Sequence, residues 1–383
     1  MKTKFKLLLL LIPVILTSCE GDDASQPLTV ERLVDKDVPV DVPVNVLVTD
    51  ELTITEETKF DNGFFVSAEG NFGDKNGSIS FVTDDLKTST NFIFSRQNEK
   101  TPLGGLIQSI TFGEENAYVI LNDVSTIVVV DKLTFKKKAT ITSGLNSPRY
   151  MTIIGDKGYV TNWGSFSPDD DFIAVLNLTT NKIEDIAIPV KVGVGRIINK
   201  EGKLYVSHGA VITNNIVSVV DINDSNKITT IEVKDGADEL FFNASGQLVV
   251  LSEGTDFYNS DFSAIERKSD GAISFININT NTITKEIVLP VGKRATLLSQ
   301  QGDNLYYYSK GKVFMVNSST DVLPTEGIEV GKTYGMNINN GKLFTASYAF
   351  TTFSTLKGFD LQSQSLIFAS VVGLGASKIY FSN

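Results

Sequence analysis

One pattern recurs six times along this chain, and a seventh copy stops after its first strand. Each copy holds a short strand-like run, then a second run such as Gly202-Lys203-Leu204-Tyr205-Val206. A third run follows, such as Thr126-Ile127-Val128-Val129-Val130-Asp131, and then a fourth. First strands start at Gln108, Arg149, Gly195, Asp238, Arg294, Tyr334 and Ser377, spaced by 41, 46, 43, 56, 40 and 43 residues. β-Branched and aromatic residues fill the runs, and Gly, Asn and Asp bound them, as in short antiparallel strands. A period of about 40–45 residues with four strands per unit describes one propeller blade. The last start, Ala376-Ser377-Lys378-Ile379-Tyr380-Phe381, has no later strands, whereas residues 61–100 have the later strands and no first one. Each end supplies what the other lacks, which is how a ring of blades seals itself. The expected fold is therefore all-β, a seven-bladed β-propeller over residues 59–383.

The first 19 residues read as an export leader. Lys2, Lys4 and Lys6 precede an apolar run from Leu7 to Leu16, broken by Pro13 and too short for an ordinary membrane span. Leu16-Thr17-Ser18-Cys19 resembles the bacterial lipoprotein cleavage box, in which the cysteine becomes the lipidated N-terminus. Cys19 is the only cysteine of the chain. The acidic run Glu20-Gly21-Asp22-Asp23 resembles a surface-export signal. The Val/Pro/charge alternation from Asp35 to Val44 favours extended chain, so residues 20–58 are expected to form a tether. Together these features place the protein at the outer membrane, held by a lipid and exposed at the cell surface.

Charge narrows the partners. The chain carries 34 basic and 45 acidic residues, and losing the leader removes three lysines and takes the net charge to about −14. Phosphate backbones need clustered Lys and Arg, so nucleic acid is not an expected partner. The single histidine, His208, rules out a His-rich metal centre and leaves one candidate for a catalytic base. His208 follows a second strand and is expected at a surface or rim. No catalytic set, resident metal or cofactor is expected.

Strand direction locates a site. Successive strands of a blade are antiparallel, so the turn entering strand one and the turn between strands two and three share one face of the ring. The first set of turns contributes Gln108, Arg149, Tyr150, Arg196, Asp238, Glu239, Arg294, Tyr334 and Lys378. The second contributes Asn71, Phe72, Asn162, Trp163, His208, Tyr258 and Tyr348. These residues are the candidate ligand-binding set. Aromatic faces with a few polar arms suit a large, partly planar or sugar-like ligand. In a second reading the channel residues satisfy one another, with Arg149 and Arg294 paired to Asp238 and Glu239. The insertion Glu253 to Asp270 lengthens one such turn and is expected to overhang this face.

Several stretches carry a family resemblance: Ala68-Glu69-Gly70-Asn71-Phe72-Gly73, Asn146-Ser147-Pro148-Arg149-Tyr150, Thr161-Asn162-Trp163-Gly164 and Tyr334-Gly335-Met336-Asn337-Ile338. They resemble the YncE-like surface propellers of Bacteroidota, the DUF5074-type lipoproteins, over residues 60–383. The cobalamin-capturing BtuG lipoproteins are similar to these. That resemblance implies a ligand held on one propeller face and handed to a TonB-dependent outer-membrane transporter, with cobalamin or another corrinoid as the leading ligand. Two departures stand out: Ser347-Tyr348-Ala349-Phe350 replaces an acidic turn, and Gly375-Ala376-Ser377-Lys378 replaces a Gly-x-x-Pro turn. Two other classes stay open. One is a metal-dependent, lactonase-like hydrolase using oxygens of Glu69, Asn71, Asn122, Asn162 and Asp238. The other is a protein-interaction or adhesion scaffold.

Overall fold

Alternate residues of the middle strands face opposite ways, and in this chain both ways are apolar. The computed structural model, which describes residues 46–165, 167, 170–209 and 214–381, shows why. In Leu248–Ser252 every residue is buried. Leu248 and Val250 join a core with Tyr205, Val217 and Val219 of the preceding blade. Val249 and Leu251 join another with Tyr307 and Val316 of the next. A strand sandwiched between two neighbours has no solvent face, so a continuous apolar run is what it needs. Outer strands sit at the rim: in Lys227–Glu232 only Ile231 is buried.

Seven four-stranded antiparallel sheets form the ring, as the repeat arithmetic requires. The first blade combines Ala376–Phe381 with Gly63–Ala68, Ser78–Thr83 and Ser89–Thr90. The inner strands of the following blades are Ile107–Phe112, Pro148–Ile154, Ile197–Lys200, Ala237–Phe242, Leu297–Gln301 and Thr333–Asn339. The insertion in the fifth blade folds into its own hairpin, Asp256–Tyr258 with Ile265–Lys268. Among the described residues helix is confined to short pieces such as Ile93–Gln97.

The Asp or Asn that ends five of the seven third strands has a local task. Asp131 Oδ1 accepts the Leu133 and Thr134 N–H groups at 3.1 and 3.0 Å. Asn177 accepts Thr179 and Thr180 at 3.1 and 2.9 Å in the same way. Such a side chain satisfies the turn's own donors and lets the chain reverse into strand four.

The seam is closed by pairing Val66 with Ile379 and Phe65 with Tyr380. Phe64 packs on Phe344 and Phe381 at centroid separations of 4.7 and 5.2 Å, joining the last blade to the first. The inner strands approach closely here: a Cβ on Gly335 would lie 2.5 Å from the Ser377 carbonyl oxygen. Glycine is what permits that contact.

The leader and most of the expected tether, residues 1–45, lie outside the described residues, and so does the Cys19 lipidation site. The last part of the expected tether is not free. Leu47–Val48 adds to the outer edge of Leu366–Val372 as a parallel fifth strand. Ser89 N–H donates to Asp50 O at 2.9 Å, Arg96 pairs with Glu51 at 2.6 Å, and Leu52 and Ile54 pack on the core of the first two blades. This strap spans the seam, so the body of the propeller begins before residue 59. Among the described residues no helix is long and apolar enough to cross a membrane.

Closure has a measurable consequence. Phe64→Ala empties a fully buried seam site and is expected to cost about 3–5 kcal/mol of unfolding free energy. Phe72→Ala, at a side chain 80% exposed, is expected to leave the melting temperature within about a degree of the wild type. Thermal melts of the two variants check both.

Candidate functional site

All seven inner strands converge on a central cavity of about 390 Å³. The charged residues at the starts of these strands gather into three groups at its mouth.

The first group lies on the second and third blades. The Arg149 guanidinium carbon sits 3.8 Å from the centroid of the Trp163 ring. Its Nη1 donates to Gln108 Oε1 at 2.7 Å, and Gln108 Nε2 donates to Tyr150 Oη at 3.3 Å. Trp163 is itself fixed by donation from Nε1 to Val194 O at 2.8 Å. The Tyr150 ring then carries three cations around it: Arg196 at 4.9 Å, and Arg149 and Lys378 at 5.7 Å each. Such contacts hold a cation against a ring face without neutralising it.

The second group is acidic and belongs to the fifth blade. Arg196 pairs directly with Glu239 and lies 3.5 Å from Asp238. Burial opposes charge on Arg196, but Glu239 and Tyr150 hold its pKa above the ordinary arginine value. Burial pushes Glu239 up to about 7, against the pull of Arg196. Burial, with Asp238 and Glu239 nearby, pushes Glu253 up to about 8. Burial raises both carboxyls, and the direct ion pair with Arg196 draws Glu239 back toward its charged form.

The third group bridges the seam. Lys378 lies 3.5 Å from Glu69, whose other oxygen accepts a hydrogen bond from Tyr334 Oη at 2.9 Å. Burial disfavours the Lys378 charge, yet Tyr150 and Glu69 keep its pKa raised. Tyr334, Tyr348 and Phe350 form an edge-to-face trio with centroids 5.2–5.3 Å apart. Lys332 lies 4.1 Å over the Tyr348 ring.

The mouth thus brings together Gln108, Arg149, Tyr150, Trp163, Arg196, Asp238, Glu239, Tyr334, Tyr348 and Lys378. The remaining candidates go elsewhere. His208 is wholly buried, not at a surface or rim: Nε2 meets Ser218 Oγ at 2.8 Å and Nδ1 meets Val192 O at 3.1 Å. Asn162 is also buried, accepting from Asn146 N–H and donating to Val160 O, so it braces a turn. Asn71 has its N–H tied to Asn76 Oδ1 at 2.7 Å, and Phe72 stands out into solvent. Arg294 does not pair with Asp238 or Glu239. It donates to Asp256 at 2.6 Å and to the Ser269 and Thr255 carbonyls at 2.8 Å each, and so roots the inserted hairpin. Tyr258 lies on that hairpin beside Phe262 at 6.3 Å, and both rings are exposed.

Glu253, Phe350 and Lys332 complete the mouth, although sequence reasoning did not name them as ligand-binding residues. Glu253 opens the insertion, and Phe350 lies in the turn that departs from the family pattern, so a signal was present for both. Of the oxygens proposed for a channel cation, those of Glu69 are engaged by Lys378 and Tyr334, and Asn162 Oδ1 accepts the Asn146 N–H at 2.9 Å. Among the described residues no three His, Cys, Asp or Glu side chains stand together as a metal-binding set.

Two pH effects of opposite sign follow. A carboxyl whose pKa is raised on folding keeps its proton longer in the native state, so stability falls as pH rises from about 4.5 toward 8. Glu253→Gln removes that loss and is expected to melt above the wild type at pH 8.5 and level with it at pH 4.5. His208, pushed down to about 4 by burial, works the other way. Its neutral form is favoured on folding, so its contribution is intact above pH 6.5 and is lost as pH falls toward 4. His208→Gln is expected to flatten that acid limb in melts recorded between pH 7 and 4.

Comparison with known proteins places this geometry. The model of a family described as "Domain of unknown function (DUF5074)" matches residues 62–333. No curated protein matched the chain. Among solved structures, a quinonprotein alcohol dehydrogenase-like protein from Bacteroides thetaiotaomicron is 16% identical, with a TM-score of 0.63 over 85% of this chain and 80% of that one. A functionally unknown protein from Desulfotomaculum acetoxidans is 17% identical, with a TM-score of 0.57 over 82% and 98%. A computationally designed protein is 12% identical, with a TM-score of 0.56 over 88% and 94%. These likenesses are of fold alone. With a family match across most of the ring, the chain belongs to the DUF5074 family of β-propellers.

Proposed function

We propose that this propeller is a binding protein that captures a planar or sugar-like nutrient at its funnel mouth, with a corrinoid such as cobalamin as the leading ligand. The observation that carries the reading is the mouth itself, where Trp163 and the Tyr334–Tyr348–Phe350 trio stand around fixed cations and carboxylates. Aromatic faces provide apolar area and polar arms provide orientation, which is the usual make-up of a small-molecule site. A corrinoid is far larger than the 390 Å³ cavity, so it would lie across the mouth and send only a side arm inward. Because these groups are already held in place, little ordering cost falls on binding.

Binding rather than hydrolysis is the reading because the one histidine is walled into the core, where no substrate reaches it. The leader and Cys19 support a lipid anchor at the outer membrane, exposed at the cell surface. In that setting a TonB-dependent transporter would receive the ligand by competing for the same face. A second reading, a protein-interaction or adhesion scaffold, is favoured by Phe72, Tyr258 and Phe262, which are 80%, 51% and 79% exposed.

Calorimetric titration of the soluble ring, residues 46–383, with cyanocobalamin tests the proposal. One-to-one binding is expected, weakened about 2- to 13-fold by Tyr348→Ala, which removes an aromatic face worth roughly 0.5–1.5 kcal/mol. No heat and no thermal stabilisation at high ligand concentration would remove the corrinoid.

A further inference from the structure

Three cations surround Tyr150, and they are not equivalent. Arg196 has Glu239 and Asp238, and Lys378 has Glu69. Arg149 has no ion-pair partner among the described residues. Its one hydrogen bond is from Nη1 to the neutral Gln108 amide, while Nε is buried without an acceptor. Burial lowers its pKa, and the more distant Asp238 and Glu69 do not make up the loss. A half-buried guanidinium whose Nε is shut away from water without an acceptor is costly, and the open end of the fork suits a carboxylate or phosphate bidentately. Trp163 holds the plane of the guanidinium fixed at 3.8 Å, so no side-chain ordering is needed to receive such a group.

We propose that the ligand of this mouth carries an anionic oxygen group, carboxylate or phosphate, and that Arg149 receives it. The inference rests on the mouth being a ligand site and says which chemistry that ligand has. It also orients the ligand. The carboxylates Asp238 and Glu239 on the fifth blade repel the anion, so the anion sits toward the second and third blades. The apolar body then reaches the Tyr334–Tyr348–Phe350 trio on the seventh.

The chain has one tryptophan, and it lies against Arg149, so whole-protein emission reports on this spot. Inorganic phosphate and benzoate are titrated into the ring at constant ionic strength while Trp163 emission is followed. The expected result is a saturable change with at least one of them, abolished in Arg149→Gln and partly kept in Arg149→Lys. Lys138→Gln, on the outer face of the second blade, is expected to behave as wild type. No saturable response in the wild type, or an equal response in Arg149→Gln, overturns the proposal.

A second arm compares cyanocobalamin, which carries a phosphodiester, with dicyanocobinamide, which does not. Arg149→Gln is expected to weaken the first by about 10- to 100-fold, as loss of a charged hydrogen bond does, and to leave the second unchanged. Equal losses for both would reduce Arg149 to a structural role. If the anions saturate Trp163 and neither corrinoid binds, the corrinoid is wrong and the anion site stands.

Discussion

The pairing of the C-terminal strand Ala376–Phe381 with Gly63–Ala68 is the constraint on which the rest depends. It closes the ring, and it also builds part of the mouth. Lys378 arrives on the C-terminal strand, whereas Glu69 follows directly on the strand it pairs with. Their ion pair therefore exists only when the two ends of the chain have met. Tyr380 reaches further and accepts the Ile110 N–H at 3.0 Å. Site assembly and completion of the fold are one event. The strap at residues 46–58 lies across the same seam from outside, where the ring is joined.

Electrostatics at the mouth reflects a conflict between burial and charge. Four carboxylates and four cations share a funnel that is only partly open to water. Pairing settles Glu69 with Lys378 and Glu239 with Arg196. Glu253 is left with its pKa raised by burial, and Arg149 is left over an indole without a carboxylate partner among the described residues. Native proteins rarely keep such unresolved groups unless something else settles them. A ligand with an aromatic body and an anionic arm would do so at Arg149.

Much of the architecture was legible because the repeat is a packing requirement. A blade needs two fully buried middle strands, and runs such as Thr126–Asp131 and Ile216–Asp221 show this directly. The half-unit at each end gave the closure. Antiparallel alternation placed the turns on one face, and Arg149, Trp163, Tyr334 and Lys378 lie together there. What alternation could not supply was side-chain direction. His208 and Asn162 occupy turn positions of the right kind, yet both point into the body, where backbone carbonyls and Ser218 satisfy them. The partner of each arginine was equally hidden. Arg294 turned to the inserted hairpin because that hairpin presents Asp256 and two carbonyls at close range. The strap was missed because it was read together with the Val/Pro alternation before it as one extended tether, and its pairing with Leu366–Val372 spans more than 300 residues of sequence.

The most direct test of the account is a crystal structure of the soluble ring grown with cyanocobalamin. The account places the corrinoid across the mouth, in contact with Trp163 and the Tyr334–Tyr348–Phe350 trio, with its phosphate within hydrogen-bond reach of Arg149. An empty mouth in saturated crystals, or a ligand bound only on the outer rim of the blades, would contradict it.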